Sequence, residues 1–139
     1  MEHILVPMDF SEAAQVGLQK AIDIASKNNS EIHLINIVNP PSKSRESELS
    51  HAINELKESE EKLSELIHKI DSRGVTIRPE IKLADFEKGI LKYLDKNHID
   101  LIVVGINGAH TIGDLFCLEG HGKCIKVNCP VEVVKQNAN

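Results

Sequence analysis

With 139 residues, 41% hydrophobic and 27% charged, the chain falls within the ordinary range for one soluble globular domain, residues 1–139. Its net charge of −5, with no Lys/Arg run, argues against general nucleic-acid binding, which needs a basic face to release phosphate counterions. Trp is absent and aromatic residues make up only 3%, so the core has to rest on Ile, Leu and Val.

Ile4-Leu5-Val6-Pro7 reads as a first strand that Asp9-Phe10-Ser11 ends. Ser11 is placed to cap a helix whose Ala14, Leu18, Ala21, Ile22 and Ala25 recur at helical spacing, and Asn28-Asn29-Ser30 stops it. Glu31 to Val38 is the second strand, broken by Asn39-Pro40-Pro41-Ser42. A polar stretch from Ser42 to Ser50 leads into a long helix with an apolar stripe of Leu49, Ile53, Leu56, Leu63, Leu66, Ile67 and Ile70, closed by Gly74. Val75, Ile77, Ile81 and Leu83 alternate through a third strand, in which Pro79 favours an edge or irregular position.

Asp85 is placed to cap the next helix, with Ile90, Leu91 and Leu94 expected to face inward. Ile99 to Val104 is a fourth strand, apolar on both faces and so expected to be buried on both. A loop and a short helix near Gly122 to Val127 lead to a fifth strand, Val131-Glu132-Val133-Val134. Strands alternating with helices imply a five-stranded, mostly parallel sheet with helices on both faces. The ligand crevice of such a sheet lies beyond the carboxyl ends of its strands, where strand order reverses. That rule gathers Pro7–Ser11, Ile37–Pro40, Leu83–Phe86 and Gly105–Leu118 around one pocket.

No apolar run approaches the ~20 residues that cross a bilayer, and no basic-then-apolar leader opens the chain. No membrane association is expected, and the cytoplasm is the expected compartment. The three cysteines, all within residues 117–129, fit it better than a secreted disulfide framework, because their number is odd.

The opening Ile4-Leu5-Val6-Pro7-Met8-Asp9-Phe10-Ser11-Glu12-Ala13-Ala14 resembles that of the universal stress proteins. Asp100 to Gly105 and Cys129-Pro130-Val131-Glu132-Val133-Val134-Lys135 resemble that family's fourth and fifth strands. The resemblance runs nearly the whole length. It implies a Rossmann-like or flavodoxin-like fold and a homodimer joined through the last strand, here Val131 to Lys135. It also implies an adenine-nucleotide pocket, because many members bind ATP through Gly-x2-Gly-x9-Gly-(Ser/Thr).

Gly105 and Gly108 match the first two glycines of that signature, but Leu118 and Glu119 stand where the third glycine and the hydroxyl belong. A leucine obstructs close backbone approach to a phosphate, and a carboxylate repels one unless Mg²⁺ bridges them. By the same resemblance Asp9 stands for the adenosine-side acid and Ile37 for the adenine contact, with Pro7 and Asn107 in the flanking loops. The pocket expected from sequence is therefore Pro7, Asp9, Ile37, Gly105, Asn107, Gly108, Leu118 and Glu119, with its phosphate end altered. No cofactor is firmly implied. AMP suits such a pocket better than ATP with Mg²⁺.

Cys117, His121, Cys124 and Cys129 form a second constellation of soft and borderline ligands. Its spacing is not that of a standard zinc knuckle, and Cys129 is also explained as the entrance to the last strand. No resident metal is therefore expected; a metal- or redox-responsive variant is the third functional reading. The chain has no Walker loop, nucleophile elbow or assignable carboxylate pair, so no catalytic residue is expected. The leading expectation is a regulatory or adaptor protein of the stress response that acts by binding, with a protein as its partner. An ATP/AMP-binding sensor with at most slow hydrolysis is the alternative.

Overall fold

The computed structural model describes residues 2–40, 46–108, 111–116 and 124–136. In chain order the elements are β1 (His3–Pro7), α1 (Glu12–Asn28), β2 (Glu31–Val38), α2 (Glu46–Lys69), β3 (Thr76–Leu83), α3 (Phe86–Lys96), β4 (Leu101–Ile106), a 3₁₀ turn (Ile112–Leu115) and β5 (Val131–Lys135). The strands form one sheet in the order β3-β2-β1-β4-β5, and every pairing is parallel. Pro79 does lie in an edge strand, where a missing N–H costs no ladder bond to a second neighbour. No described helix is long and apolar enough to cross a membrane.

Local signals set both ends of α1. The Ser11 hydroxyl accepts the Ala14 N–H at 3.1 Å, and Asn29 closes the helix in the left-handed region with φ 51°. The inner face of α1 carries Ala13, Ala14, Gly17, Leu18, Ala21, Ile22 and Ala25, small enough to bring the helix down onto the sheet. With Leu63 and Leu66 of α2 it covers the face of Ile4, Val6, Ile32 and Leu34. The opposite face, with Leu5, Ile35, Ile102 and Val104, packs against Ile90 and Tyr93 of α3 and against Phe116.

Several elements differ from the sequence reading. Helix α2 begins at Glu46 and ends at Lys69, before Gly74, and Leu49 and Ile53 are about half exposed. Its buried side is Ala52, Ser59, Leu63 and Leu66. A helix of 24 residues is about 36 Å long, whereas the eight residues of β2 span about 26 Å. The helix is thus too long for its first turns to be covered along with its last. In α3, Leu91 is exposed and Tyr93 takes the inward position, because Gly89 lets the helix close onto Ile37 along the Gly89–Ile90–Tyr93 side.

Strand β4 begins at Leu101 and continues through Gly105 and Ile106, which pair with Val134 and Lys135. Residues 124–127 contain no helix; Ile125 instead bridges to Phe116. Gly105 is thus a strand residue, and its lack of a side chain is a packing requirement. A Cβ built there would overlap the Ala13 carbonyl oxygen, and one built at Gly17 would come within 2.6 Å of the Gly105 nitrogen.

Gly105→Ala is expected to destabilise the fold by roughly 2–3 kcal/mol, the range of core overpacking, with an unchanged denaturant slope. Urea unfolding of the two proteins measures this, and a loss below about 0.5 kcal/mol would show that α1 can retreat from β4 freely.

Candidate functional site

Strand order reverses between β1 and β4, so the crevice expected for a parallel α/β sheet opens between the loops that follow these strands. Asp9, in the loop after β1, spans the gap. One of its oxygens accepts the Ser11 N–H at 3.0 Å and the Ser11 hydroxyl at 2.5 Å. The other accepts the Ile112 N–H, from beyond β4, at 3.2 Å. Between Asp9 and Ser11, Phe10 is held in the left-handed region with φ 66°, its N–H turned to the Met8 sulfur at 3.2 Å. The Phe10 ring lies under the Lys62 ammonium at 5.5 Å.

The loop after β4 is organised by a carboxylate that the sequence reading did not single out. Asp114 accepts the Gly108 N–H at 3.1 Å, the Thr111 N–H at 3.1 Å and the Thr111 hydroxyl at 2.5 Å. The Asn107 N–H also bonds to it. Burial pushes the Asp114 carboxyl up, but these hydrogen bonds outweigh it and hold it below the ordinary carboxylate value. Its signal was in the sequence: Thr111-Ile112-Gly113-Asp114 has the spacing of a capping box, in which the fourth residue reaches back to the first.

The structure therefore brings together part of the expected pocket. Pro7 ends β1, its neighbour Met8 donates its N–H to the Ile35 carbonyl, and Asp9 accepts the Ile112 N–H from the segment that follows Asn107 and Gly108. Gly108 takes φ +84° with open space around it, so here glycine serves the turn itself. Ile37 lies near the end of β2, packed against Gly89 of α3. Leu118 and Glu119 lie outside the described residues, as do Cys117, His121 and His110. Of the Cys/His constellation, Cys124 and Cys129 are described, and they line separate surface depressions. Cys129 carries a free thiol that burial raises above its usual range.

An all-parallel sheet with this order, helices on both faces and two loops tied across the reversal point defines a Rossmann-like α/β fold. The model of the universal stress protein family matches residues 1–135, and the chain belongs to that family. Universal stress protein A homolog 1 of Coxiella burnetii is 28% identical over 125 residues, 82% of each chain. A solved member of the family from Burkholderia pseudomallei has a TM-score of 0.68 at 21% identity, covering 96% of this chain and 95% of that one. Another, from Arabidopsis thaliana with AMP bound, has a TM-score of 0.66 at 19% identity, covering 99% and 94%.

Because the folded Asp114 is the stronger acid, its contribution to stability is complete above the unfolded carboxyl value and is lost as pH falls through the folded one. Asp114→Asn is expected to cost about 1 kcal/mol near neutral pH, the net worth of charge-assisted bonds in a half-exposed loop. It should cost progressively less in acid. Urea midpoints of the two proteins across the acid range test this; a constant difference would remove the charge of Asp114 from the explanation.

Proposed function

We propose that this universal stress protein is a single-domain regulatory or adaptor protein. On this reading it acts in the cytoplasm by binding and carries no dedicated catalytic residue. The observation behind this reading is the seat of Asp114. Backbone N–H groups at the end of a β-strand are what a nucleotide-binding loop offers a phosphate. Here those of Asn107, Gly108 and Thr111 are already turned to a carboxylate of the same chain.

A phosphate entering that loop would have to displace Asp114 or face its charge at close range. In sequence, Leu118 and Glu119 stand where the signature has its glycine and hydroxyl, two groups that a phosphate site uses. The residues present thus do not suit a triphosphate held in this loop. The adenosine side, Asp9 with Ile37 and Pro7, carries no comparable obstacle. AMP, which the Arabidopsis relative holds, is the nucleotide that this half of the crevice suits best. An AMP-responsive sensor is accordingly the second reading.

The homodimer we propose uses β5. It is an edge strand whose Val131, Val133 and Val134 are only partly covered, and such an edge is stabilised by pairing with a second copy. Sedimentation equilibrium is expected to give twice the mass of the chain.

Calorimetric titration tests the nucleotide reading. AMP is expected to bind weakly, with a Kd above about 0.1 mM, and Mg-ATP no more tightly than AMP. Asp114→Asn is expected to strengthen AMP binding by up to about tenfold through relief of like-charge repulsion, and Asp9→Ala to abolish it. Micromolar binding of Mg-ATP by the unaltered chain would overturn the reading in favour of a nucleotide sensor.

A further inference from the structure

The amino ends of β1 and β2, at the opposite end of the strands from the crevice, carry a cluster that the proposed function leaves unused. Parallel register pairs His3 with Glu31 and Leu5 with His33. Residues two apart on a strand share a face, and directly registered neighbours share it too. His3, Glu31 and His33 therefore project together, on the side covered by α3.

The ligand atoms of the three side chains all lie within 4.8 Å of one another. His3 Nδ1 is 3.0 Å from His33 Nε2 and 3.6 Å from Glu31 Oε2. A tetrahedral Zn²⁺ with bonds of roughly 2.0–2.1 Å needs ligand atoms about 3.3–3.4 Å apart, and the two measured edges straddle that value. We propose that His3, Glu31 and His33 form a binding site for a divalent transition metal, with Zn²⁺ the best match to two imidazoles and a carboxylate.

Each ligand is held from behind. The Tyr93 hydroxyl lies 2.5 Å from His33 Nδ1 and can accept a hydrogen bond from its N–H, leaving Nε2 free to coordinate. A metal requires an uncharged imidazole, and this bond holds the tautomer that presents Nε2. Arg78 Nη1 binds the second Glu31 oxygen at 3.3 Å, leaving Oε2 toward His3. Asp100 accepts the His3 backbone N–H at 2.8 Å and fixes the start of β1.

Arg78 opposes an incoming cation, while Glu31, Glu80 and Asp100 favour one; Lys82 pairs with Glu80 at 3.8 Å. His33 is buried, but the His3 side chain is 29% exposed, so water can reach the remaining coordination position. Without a metal one imidazole donates a hydrogen bond to the other across the 3.0 Å separation. Zn²⁺ would take the place of that hydrogen bond, with the His3 ring proton carried on Nε2.

Tag-free, chelator-treated full-length protein titrated with Zn²⁺ by calorimetry, and with Co²⁺ by visible absorption, tests the site. One metal per chain is expected there, with Co²⁺ bands of nitrogen and oxygen ligation and without thiolate charge-transfer absorption. His3→Gln, at a part-exposed position, is expected to weaken Zn²⁺ binding at least about tenfold while circular dichroism is unchanged, and Tyr93→Phe by about 10–100-fold. Replacing Cys117, Cys124 and Cys129 by Ser should leave the site intact. No binding, thiolate bands alone, or full affinity in His3→Gln would each overturn the proposal.

Discussion

Strand β4 passes so close to the start of α1 that nothing larger than glycine fits at Gly105. A side-chain carbon there would occupy the Ala13 carbonyl oxygen, and Gly17 and Gly113 leave the same kind of clearance on neighbouring sides. This approach fixes the depth of α1 on the sheet, and with it the position of Ser11 at the helix start. It also sets where β4 releases the chain into the loop of Asn107 and Gly108. The distance across the crevice follows from these placements, so Asp9 can reach the Ile112 N–H from the other side. A glycine that reads in the sequence as part of a phosphate loop is first a condition of helix–strand packing.

The crevice is built on carboxylates. Asp9 and Asp114 satisfy the hydroxyls of Ser11 and Thr111 and backbone N–H groups on both sides of the strand reversal. Backbone N–H groups need acceptors, and of those in this loop that of Thr111 is part-buried while those of Asn107 and Gly108 are exposed. In this chain the protein supplies the acceptor. That choice stabilises the loop with no ligand present and lowers the gain from a phosphate, which would exchange one anion for another. The Gly-x2-Gly spacing thus has a structural account in each half: Gly105 lets β4 pack against α1, Gly108 serves the turn, and Asp114 occupies the donors of the loop.

What was legible in the sequence was local. Ser11 and Asp85 cap their helices as their positions suggest, because a cap depends on residues within one turn. Pro79 marked an edge, and Glu31–Val38 forms a strand over the bounds that its turn residues set. The family resemblance extended this to the whole fold. What was not legible depends on lengths and registers. The stripe of α2 includes Leu49 and Ile53, yet the helix outruns the strands beneath it and leaves both exposed. The extension of β4 through Gly105 depends on pairing with β5, which no local pattern around Gly105 announces. Around Asp9 the loops that follow β1 and β4 meet as the topology rule suggests, but their organising carboxylate, Asp114, depends on hydrogen bonds from Thr111 and Gly108 that no apolar pattern announces.

The two ends of the sheet offer different chemistry for a common reason. At the carboxyl ends of parallel strands the chain turns away into loops, so ligands meet backbone groups and the few side chains those loops carry. At the amino ends of β1 and β2, side chains stand on the strands themselves, and register decides which of them meet. His3, Glu31 and His33 are separated in sequence yet brought together by a single parallel pairing. Ligands mounted on strands lose little freedom on binding, whereas a loop held by Asp114 has to release its own carboxylate first. The two sites thus place opposite demands on the fold. A metal at the amino end would gain from the rigidity of β1 and β2, whereas a phosphate in the crevice would work against the internal bonds of Asp114. A metal bound at the amino end would stabilise the folded chain by mass action and leave the Asp114 bonds unaltered.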